Sequence, residues 1–267
     1  MAKELIVGVS TVNPSAEDFY NQLAEHYHMI FKDWDEAIQY QGETLSKLLT
    51  SLIIKDRKDT SLLDCSCGIG TQSIGLALSG YNVTATDISR AAVERAKQEA
   101  FTRDASISFG ISDFRRLNQD IKGTFDILLS ADNSLPHLLN EEDLRLAASQ
   151  FYQKVKTGGW LVITMRNYDE LLKEKPASTP PKSLNEGNRI VFQLWDWKED
   201  GRTYTLHHFI MNKTQDTWHT KQFSTDYRAI LQDELTALLE EAGFYNINWK
   251  SAKETGYYQP ILLARKP

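Results

Sequence analysis

The sequence predicts an α/β protein built on a mainly parallel sheet, with an antiparallel β insertion late in the chain. Between residues 60 and 165, short apolar runs alternate with helical stretches at the spacing of βα units. The first run, Leu62-Leu63-Asp64, passes through Cys65-Ser66-Cys67 into Gly68-Ile69-Gly70, a glycine turn that opens a helix. Beyond residue 187 the rhythm changes to strand, turn, strand, with Asp200-Gly201 as a strong hairpin turn.

At 267 residues the chain can bury one full core and carry a sizeable insertion. With 41% hydrophobic and 25% charged residues it is an ordinary globular composition, which excludes disordered and fibrous classes. A formal net charge of −6 lacks the electrostatic footprint of a protein that tracks phosphate backbones, so a nucleic-acid partner is not expected. No apolar run is long enough to span a bilayer, and residues 1–10 carry Lys3 and Glu4 without a cleavage-like pattern. The sequence therefore reads as cytoplasmic, with no membrane partner. Cys65 and Cys67, the only cysteines, share one strand end. That spacing suits neither a disulfide nor zinc without further ligands, so they read as small residues filling the floor beneath the loop, in a reducing compartment.

Taken in order, residues 15–55 read as helix broken once or twice. Phe19, Leu23, Tyr27, Ile30, Phe31, Trp34 and Ile38 recur at three- and four-residue intervals, and Leu45, Leu48, Leu49 and Leu52 continue the stripe. The aromatics Tyr20, Tyr27, Phe31 and Trp34 make this stretch a candidate lid over a ligand cleft. Residues 81–86 alternate as a strand closed by Asp87, and Ser89 can cap the following helix, with Ala92, Val93 and Ala96 inward. A carboxylate at this position can accept both hydroxyls of a ribose. Residues 107–110 form a third strand leading to Asp113-Phe114, a pair able to bond an adenine amino group and cover its face. A fourth strand, 125–130, ends at Ser130 before Ala131-Asp132-Asn133-Ser134-Leu135-Pro136-His137. A helix over 141–156, a turn at Gly158-Gly159 and a fifth strand at 160–165 follow.

Residues 173–187, with Pro176, Pro180 and Pro181, read as a mobile connection. Strands are predicted at 190–197, 203–211 and 218–225, then a helix at 229–242 stopped by Gly243. Residues 244–249 and 257–265 supply two closing strands. His207, His208 and His219 fall on the insertion; neighbouring strand residues face opposite ways, so no metal site is expected.

The glycine loop admits two cofactors. For a dinucleotide the third glycine of G-x-G-x-x-G is here Ser73, and Tyr152 and Lys156 have the Y-x-x-x-K spacing of short-chain reductases. No serine upstream completes that set, so Tyr152 reads as core and Lys156 as a helix C-terminal charge. Against this stands one ordered pattern: Asp64 ahead of Cys67-Gly68-Ile69-Gly70, then Asp87, Asp113-Phe114 and Gly158-Gly159 before a fifth strand. It resembles the class I S-adenosylmethionine-dependent methyltransferases.

That resemblance implies a three-layer Rossmann-like fold whose seven-stranded sheet has an antiparallel last strand. It implies S-adenosylmethionine as cofactor, with the glycine loop against its methionine part, the second-strand acid on the ribose and the acid after the third strand on the adenine. Cofactor contacts then fall on Cys67, Gly68, Gly70, Asp87, Ile88, Asp113, Phe114, Ser130 and Asn133, with Tyr20 and Trp34 from the N-terminal segment. Aromatic faces favour a sulfonium, which Tyr20, Tyr27 and Trp34 would enclose.

Two further segments, Asn133-Ser134-Leu135-Pro136-His137-Leu138 and Arg166-Asn167-Tyr168-Asp169, look like those of glycine N-methyltransferase and of the glycine/sarcosine N-methyltransferases that start betaine synthesis in salt-adapted microbes. Asp18-Phe19-Tyr20 and Asp33-Trp34 are reminiscent of the microbial members. The similarity covers about residues 18–170 and weakens over the insertion. It implies that Arg166 grips the carboxylate of an amino-acid acceptor, with Asn133 and His137 near donor and acceptor. A guanidinium after the fifth strand suits that task, since its planar fork matches a carboxylate; pairing with Asp169 or another acid is the competing reading.

The expected chemistry is in-line displacement by a neutral amine, driven by positioning, with Arg166 orienting the acceptor and Tyr27 or His137 assisting. The expected organisation is a helical lid (1–55), a donor-binding core (56–170), an antiparallel insertion over the acceptor pocket (171–226) and a helix with two strands completing the core (227–267). Another amine, hydroxyl or carbon acceptor on a small metabolite is the alternative, and a nicotinamide oxidoreductase a weaker one.

Overall fold

A computed structural model of the protein describes residues 15–267. The reading of residues 1–10 as free of a cleavage pattern, and the first part of the 1–55 segment, lie outside the described residues. In order, the elements are α1 (Ala16–Leu23), α2 (Trp34–Leu52), β1 (Ser61–Asp64), α3 (Thr71–Leu78), β2 (Asn82–Asp87), α4 (Arg90–Thr102), β3 (Ile107–Ile111), α5 (Leu117–Asp120), β4 (Phe125–Ser130), α6 (Glu141–Lys154) and β5 (Val155–Thr164). They continue through α7 (Tyr168–Glu174), β6 (Lys182–Leu184), β7 (Arg189–Trp197), β8 (Thr203–Thr214), β9 (Thr217–Arg228), α8 (Gln232–Glu241), β10 (Tyr245–Lys250), α9 (Ala252–Thr255) and β11 (Ile261–Arg265). Helix starts follow side-chain caps: Ser15, Asp33, Ser89 and Asn140 each accept from a backbone N–H three residues on.

The main sheet has seven strands in the order β10-β11-β5-β4-β1-β2-β3. Among these strands β11 alone points opposite to the other six, pairing antiparallel with both β10 and β5. The chain enters at β1, winds out to β3, then returns to β4 on the other side of β1. Loops after β1 and β4 therefore diverge, and a crevice opens at their carboxyl ends. The central strand β4 is buried at every residue, because helices cover both faces. One face takes Leu144, Ala147 and Phe151 of α6 and Leu235 and Leu238 of α8; the other takes Leu45 and Leu49 of α2, Leu76 of α3 and Val93 of α4.

Half of the segment expected as a lid is thus core. Helix α2 lies so close to α3 that a Cβ on Gly42 would stand 2.6 Å from the backbone of Gly75, and one on Gly75 would stand 2.4 Å from the carbonyl oxygen of Ile38. No side chain fits at either crossing position. Helix α1 and the 3-10 turn Tyr27–Ile30 are what reach the crevice.

Lys156 is not a helix-terminal charge, since α6 stops at Lys154 and β5 begins at Val155. Gly158 and Gly159 sit inside that strand, where its register against β4 shifts. Lys156 reaches the Asp126 carboxylate at 2.9 Å, and Lys55 takes the other oxygen at 2.5 Å. Burial alone would raise the Asp126 carboxyl, yet Lys55, Ser61 and Lys156 hold it well below the usual carboxylate range.

Residues 173–187 are no free connection. Ala177 and Thr179 exchange backbone hydrogen bonds with Trp195 and Gln193, and β6 pairs with β7 as an edge strand. Prolines are tolerated on an edge because its outer N–H groups have no ladder partner. Strands β6-β7-β8-β9 form a second, antiparallel sheet. Cross-strand partners Gln193–His208, Trp195–Leu206 and Tyr204–Tyr227 share its inner face. Residues 257–260, expected as strand, are instead a loop ahead of β11. Among the described residues, no helix is long and apolar enough to cross a membrane.

Candidate active site

A cavity of about 310 Å³ lies above the loops after β1, β2, β3 and β4. Cys67, Gly68, Asp87, Ile88, Asp113, Phe114 and His137 line it, with Tyr20 and Tyr27 from the N-terminal segment. Gly68 (φ +52°) and Gly70 (φ +95°) turn the chain through conformations costly for other residues. A Cβ on Gly68 would stand 3.5 Å from the Tyr27 ring, so glycine leaves bare backbone between that ring and the cavity floor.

Asp87 ties this floor together, its two oxygens accepting from Gly68 N–H at 2.8 Å and Ser89 N–H at 2.9 Å. Burial raises its carboxyl, against the lowering effect of these backbone donors. Behind it, Asp64 accepts from the Ser73 hydroxyl at 2.6 Å, and burial lifts its carboxyl to about 7. Asp113 is clamped by Arg115, which also reaches Asp143, so it presents a paired carboxylate. Cys65 and Cys67 are both buried free thiols on the cavity wall.

Several expected contacts lie one layer back. Trp34 donates to the Thr71 hydroxyl at 2.9 Å with the Arg103 guanidinium over its ring, and does not line the cavity. Gly70 caps α3 beneath the floor, and Ser130 meets the Ser66 hydroxyl at 3.3 Å. Asn133 is buried: its carbonyl oxygen accepts from Arg166 N–H at 3.1 Å and its amide donates to the Tyr168 hydroxyl at 3.0 Å. It brackets the backbone that carries Arg166. His137 lies on the Tyr227 ring, centroids 4.2 Å apart, with Nε2 at 3.0 Å from the Tyr20 hydroxyl. Burial lowers its pKa to about 3, so the imidazole is neutral near pH 7.

A second cavity, about 1000 Å³, opens between the inner face of the second sheet and the loops after β4 and β5. Arg166, Gln193, Trp195, His208 and Tyr258 line it. Arg166 donates to the Tyr204 hydroxyl at 3.0 Å and to Gln193 Oε1 at 3.2 Å, and its guanidinium lies over Trp195 and Tyr227. Asp169, the rival partner, accepts instead from Gln232 N–H. Among the described residues, no carboxylate forms an ion pair with Arg166.

Asp132 lines both cavities. Held at φ +57° just after β4, it accepts from the Tyr27 hydroxyl at 3.1 Å and the Tyr258 hydroxyl at 2.5 Å. Sequence reasoning passed over it. The available signal was an acid, one of the few residue types that tolerate such a backbone, at the carboxyl end of the strand beside the switch point. Gln193, Trp195 and His208 were also missed as wall residues, because their placement depends on how the second sheet docks, and Tyr258 because it was expected within a strand and lies in the loop ahead of β11.

The smaller cavity offers what a nucleoside-bearing sulfonium needs: bare backbone at Gly68, a carboxylate at Asp87 and aromatic hydroxyl groups at Tyr20 and Tyr27. By its domain and by the fold it shares with S-adenosylmethionine-dependent enzymes of known structure, one of them with S-adenosylmethionine bound (TM-score 0.68, 17% identity), the chain is similar to the methyltransferases. Residues 62–159 match the family described as Methyltransferase domain. The chain is similar to the glycine/sarcosine N-methyltransferase of Parasynechococcus marenigrum, with 36% identity over 53% of this chain and 48% of that protein, about half of its length. It is also similar to those of Halorhodospira halochloris (28% identity; 75% and 79% covered) and Aphanothece halophytica (27%; 94% and 91%). In fold it resembles the CcbJ methyltransferase from Streptomyces caelestis, with TM-score 0.74, 15% identity and coverage of 93% and 97%.

Proposed function

We propose that the chain transfers a methyl group to the amine of a small amino acid, with glycine and sarcosine as first candidates, by in-line displacement. Arg166 carries the reading: a permanently charged planar fork, without an ion-pair partner among the described residues, stands on the wall of a cavity that meets the smaller cavity at Asp132. The relatives named for glycine and sarcosine support the same acceptor class.

When bound, S-adenosylmethionine supplies a methyl group on a positively charged sulfur. Gly68, Asp87, Ile88, Asp113 and Phe114 would hold it, the last two at the adenine end. Arg166 takes the acceptor carboxylate in two hydrogen bonds and so aims the amine at the junction. Asp132 faces that amine and favours its approach by charge. Tyr20 and Tyr27 exclude water above the reacting nitrogen, and Asn133 keeps the Arg166 backbone in place. Neutral His137 supports Tyr20 and gives up no proton near pH 7. The amine attacks once deprotonated, and the rate gain comes from alignment. Such an enzyme would serve the opening steps of betaine synthesis.

Incubation with labelled S-adenosylmethionine and a panel of amines, with mass detection of products, tests the proposal. Methylated glycine or sarcosine is expected, and their failure to be methylated above other amines sinks it. The 1000 Å³ of the second cavity is more than glycine fills, which favours a bulkier amine acceptor as the second reading. Amino sugars and larger amino acids therefore belong in the panel.

A further inference from the structure

Gln193 is the hub of the larger cavity's polar wall. Its Oε1 accepts from Arg166 Nη2 at 3.2 Å and from Trp195 Nε1 at 3.2 Å. Two donors converging on one atom fix which end of the amide is oxygen. The amide nitrogen then lies 3.2 Å from His208 Nδ1. An amide N–H can only donate, so Nδ1 accepts, and the single proton of a neutral imidazole sits on Nε2. The ring is neutral, because burial, then Arg166 and Lys182, lower its pKa to about 4.

His208 is only 7% exposed and lines the same cavity as Arg166, yet Nε2 has no hydrogen-bond partner among the described residues. A buried N–H left unpaired costs about 1–3 kcal/mol, so a donor kept in that state calls for an explanation. The preceding residue makes the contrast. His207 points to the other face of the sheet, where both ring nitrogens are engaged by Ser224 and Asp196.

We propose that His208 Nε2–H is a second donor to the acceptor's carboxylate, forming with Arg166 a two-residue clamp whose geometry Gln193 sets. This rests on reading the larger cavity as the acceptor site, and not on which amine is methylated. A charged and a neutral donor together define two directions of approach, so the clamp fixes the plane of the carboxylate as well as its position.

Two measurements test it. In protein labelled with nitrogen-15 histidine, His208 should resonate as the neutral Nε2–H form near pH 7, and acetate should shift it; a proton on Nδ1, or no response to acetate, overturns the clamp. Acetate is the probe because it offers a carboxylate without an amine. By calorimetry on protein loaded with S-adenosylhomocysteine, His208→Phe should weaken acetate binding about tenfold, the loss expected for one hydrogen bond to a charged group. His208→Gln, which restores an N–H, should recover it to within about threefold of wild type. S-adenosylhomocysteine affinity should be the same in all three proteins. Wild-type acetate affinity in His208→Phe, or a Gln variant as weak as the Phe variant, overturns the proposal. If acetate binding depends on His208 while glycine and sarcosine go unmethylated, the clamp stands and only the reading of the acceptor falls.

Discussion

The Tyr27 hydroxyl donates to Oδ2 of Asp132 at 3.1 Å, joining the turn after α1 to the loop after β4 where the two cavities meet. Asp132→Asn keeps the shape of this contact and removes its charge. The Michaelis constant for the amine should rise about tenfold, the scale of one charge-assisted hydrogen bond. Steady-state kinetics with varied acceptor measure it, and a loss confined to donor affinity would take Asp132 off the amine side.

Arg166→Ala should raise the acceptor Michaelis constant by about two orders of magnitude, since two charged hydrogen bonds are lost together. Arg166→Lys should rescue little of this, because an ammonium cannot reproduce the planar fork. S-adenosylhomocysteine affinity by calorimetry should stay within twofold; a parallel loss of donor binding would contradict the assignment.

Neutral His137 should not appear in the pH dependence of the rate. Any limb between pH 6 and 8 should persist in His137→Asn, because burial keeps the native imidazole near 3. Disappearance of such a limb in the variant would return His137 to proton transfer.

Asp64 makes stability fall as pH rises. Its folded pKa, about 7, stands above the unfolded 3.8, so the folded state binds the extra proton between these values. Above pH 7 the buried carboxylate is charged and that contribution is lost. Asp64→Asn should therefore raise the melting temperature at pH 8 and do so less at pH 5. Scanning calorimetry at the two pH values decides it; an equal effect at both would mean the carboxyl is not perturbed.

Gly42→Ala drives a methyl group into the backbone of α3. Overpacking of this kind costs about 1–3 kcal/mol, which lowers the melting temperature by roughly 2–4 °C per kcal/mol at this size. Thermal unfolding of the variant measures it, and an unchanged midpoint would mean that the helices separate easily.

Much of the smaller cavity was legible in sequence because its signals are local. A strand ending in Asp64, glycines at positions of left-handed backbone, an acid closing β2 and a cap at Ser89 each act through neighbours in the chain. Arg166 was legible for the same reason, as the residue that follows β5. The larger cavity was less so. Gln193, Trp195 and His208 face the cavity only because β7 and β8 pair in one register and the sheet docks over the crevice, and local pattern does not encode docking. Trp34 shows the converse error: an aromatic at the right place in a helical stripe packs behind Thr71. Lys156 was misread because a helix and the strand after it meet there without an intervening loop. The prolines at 176, 180 and 181 mark an edge strand as readily as a turn.

Asp132 lines both cavities, but the second sheet lines only the larger. Val191, Gln193, Trp195 and His208 line the larger one and none of them lines the smaller. On the proposed assignment, the choice of what is methylated is written largely in the second sheet and the hold on the methyl donor largely outside it, the two meeting where His137 lies on Tyr227. A chimera that exchanges residues 176–228 for the matching segment of a relative should trade acceptor preference while its grip on S-adenosylhomocysteine is inherited intact.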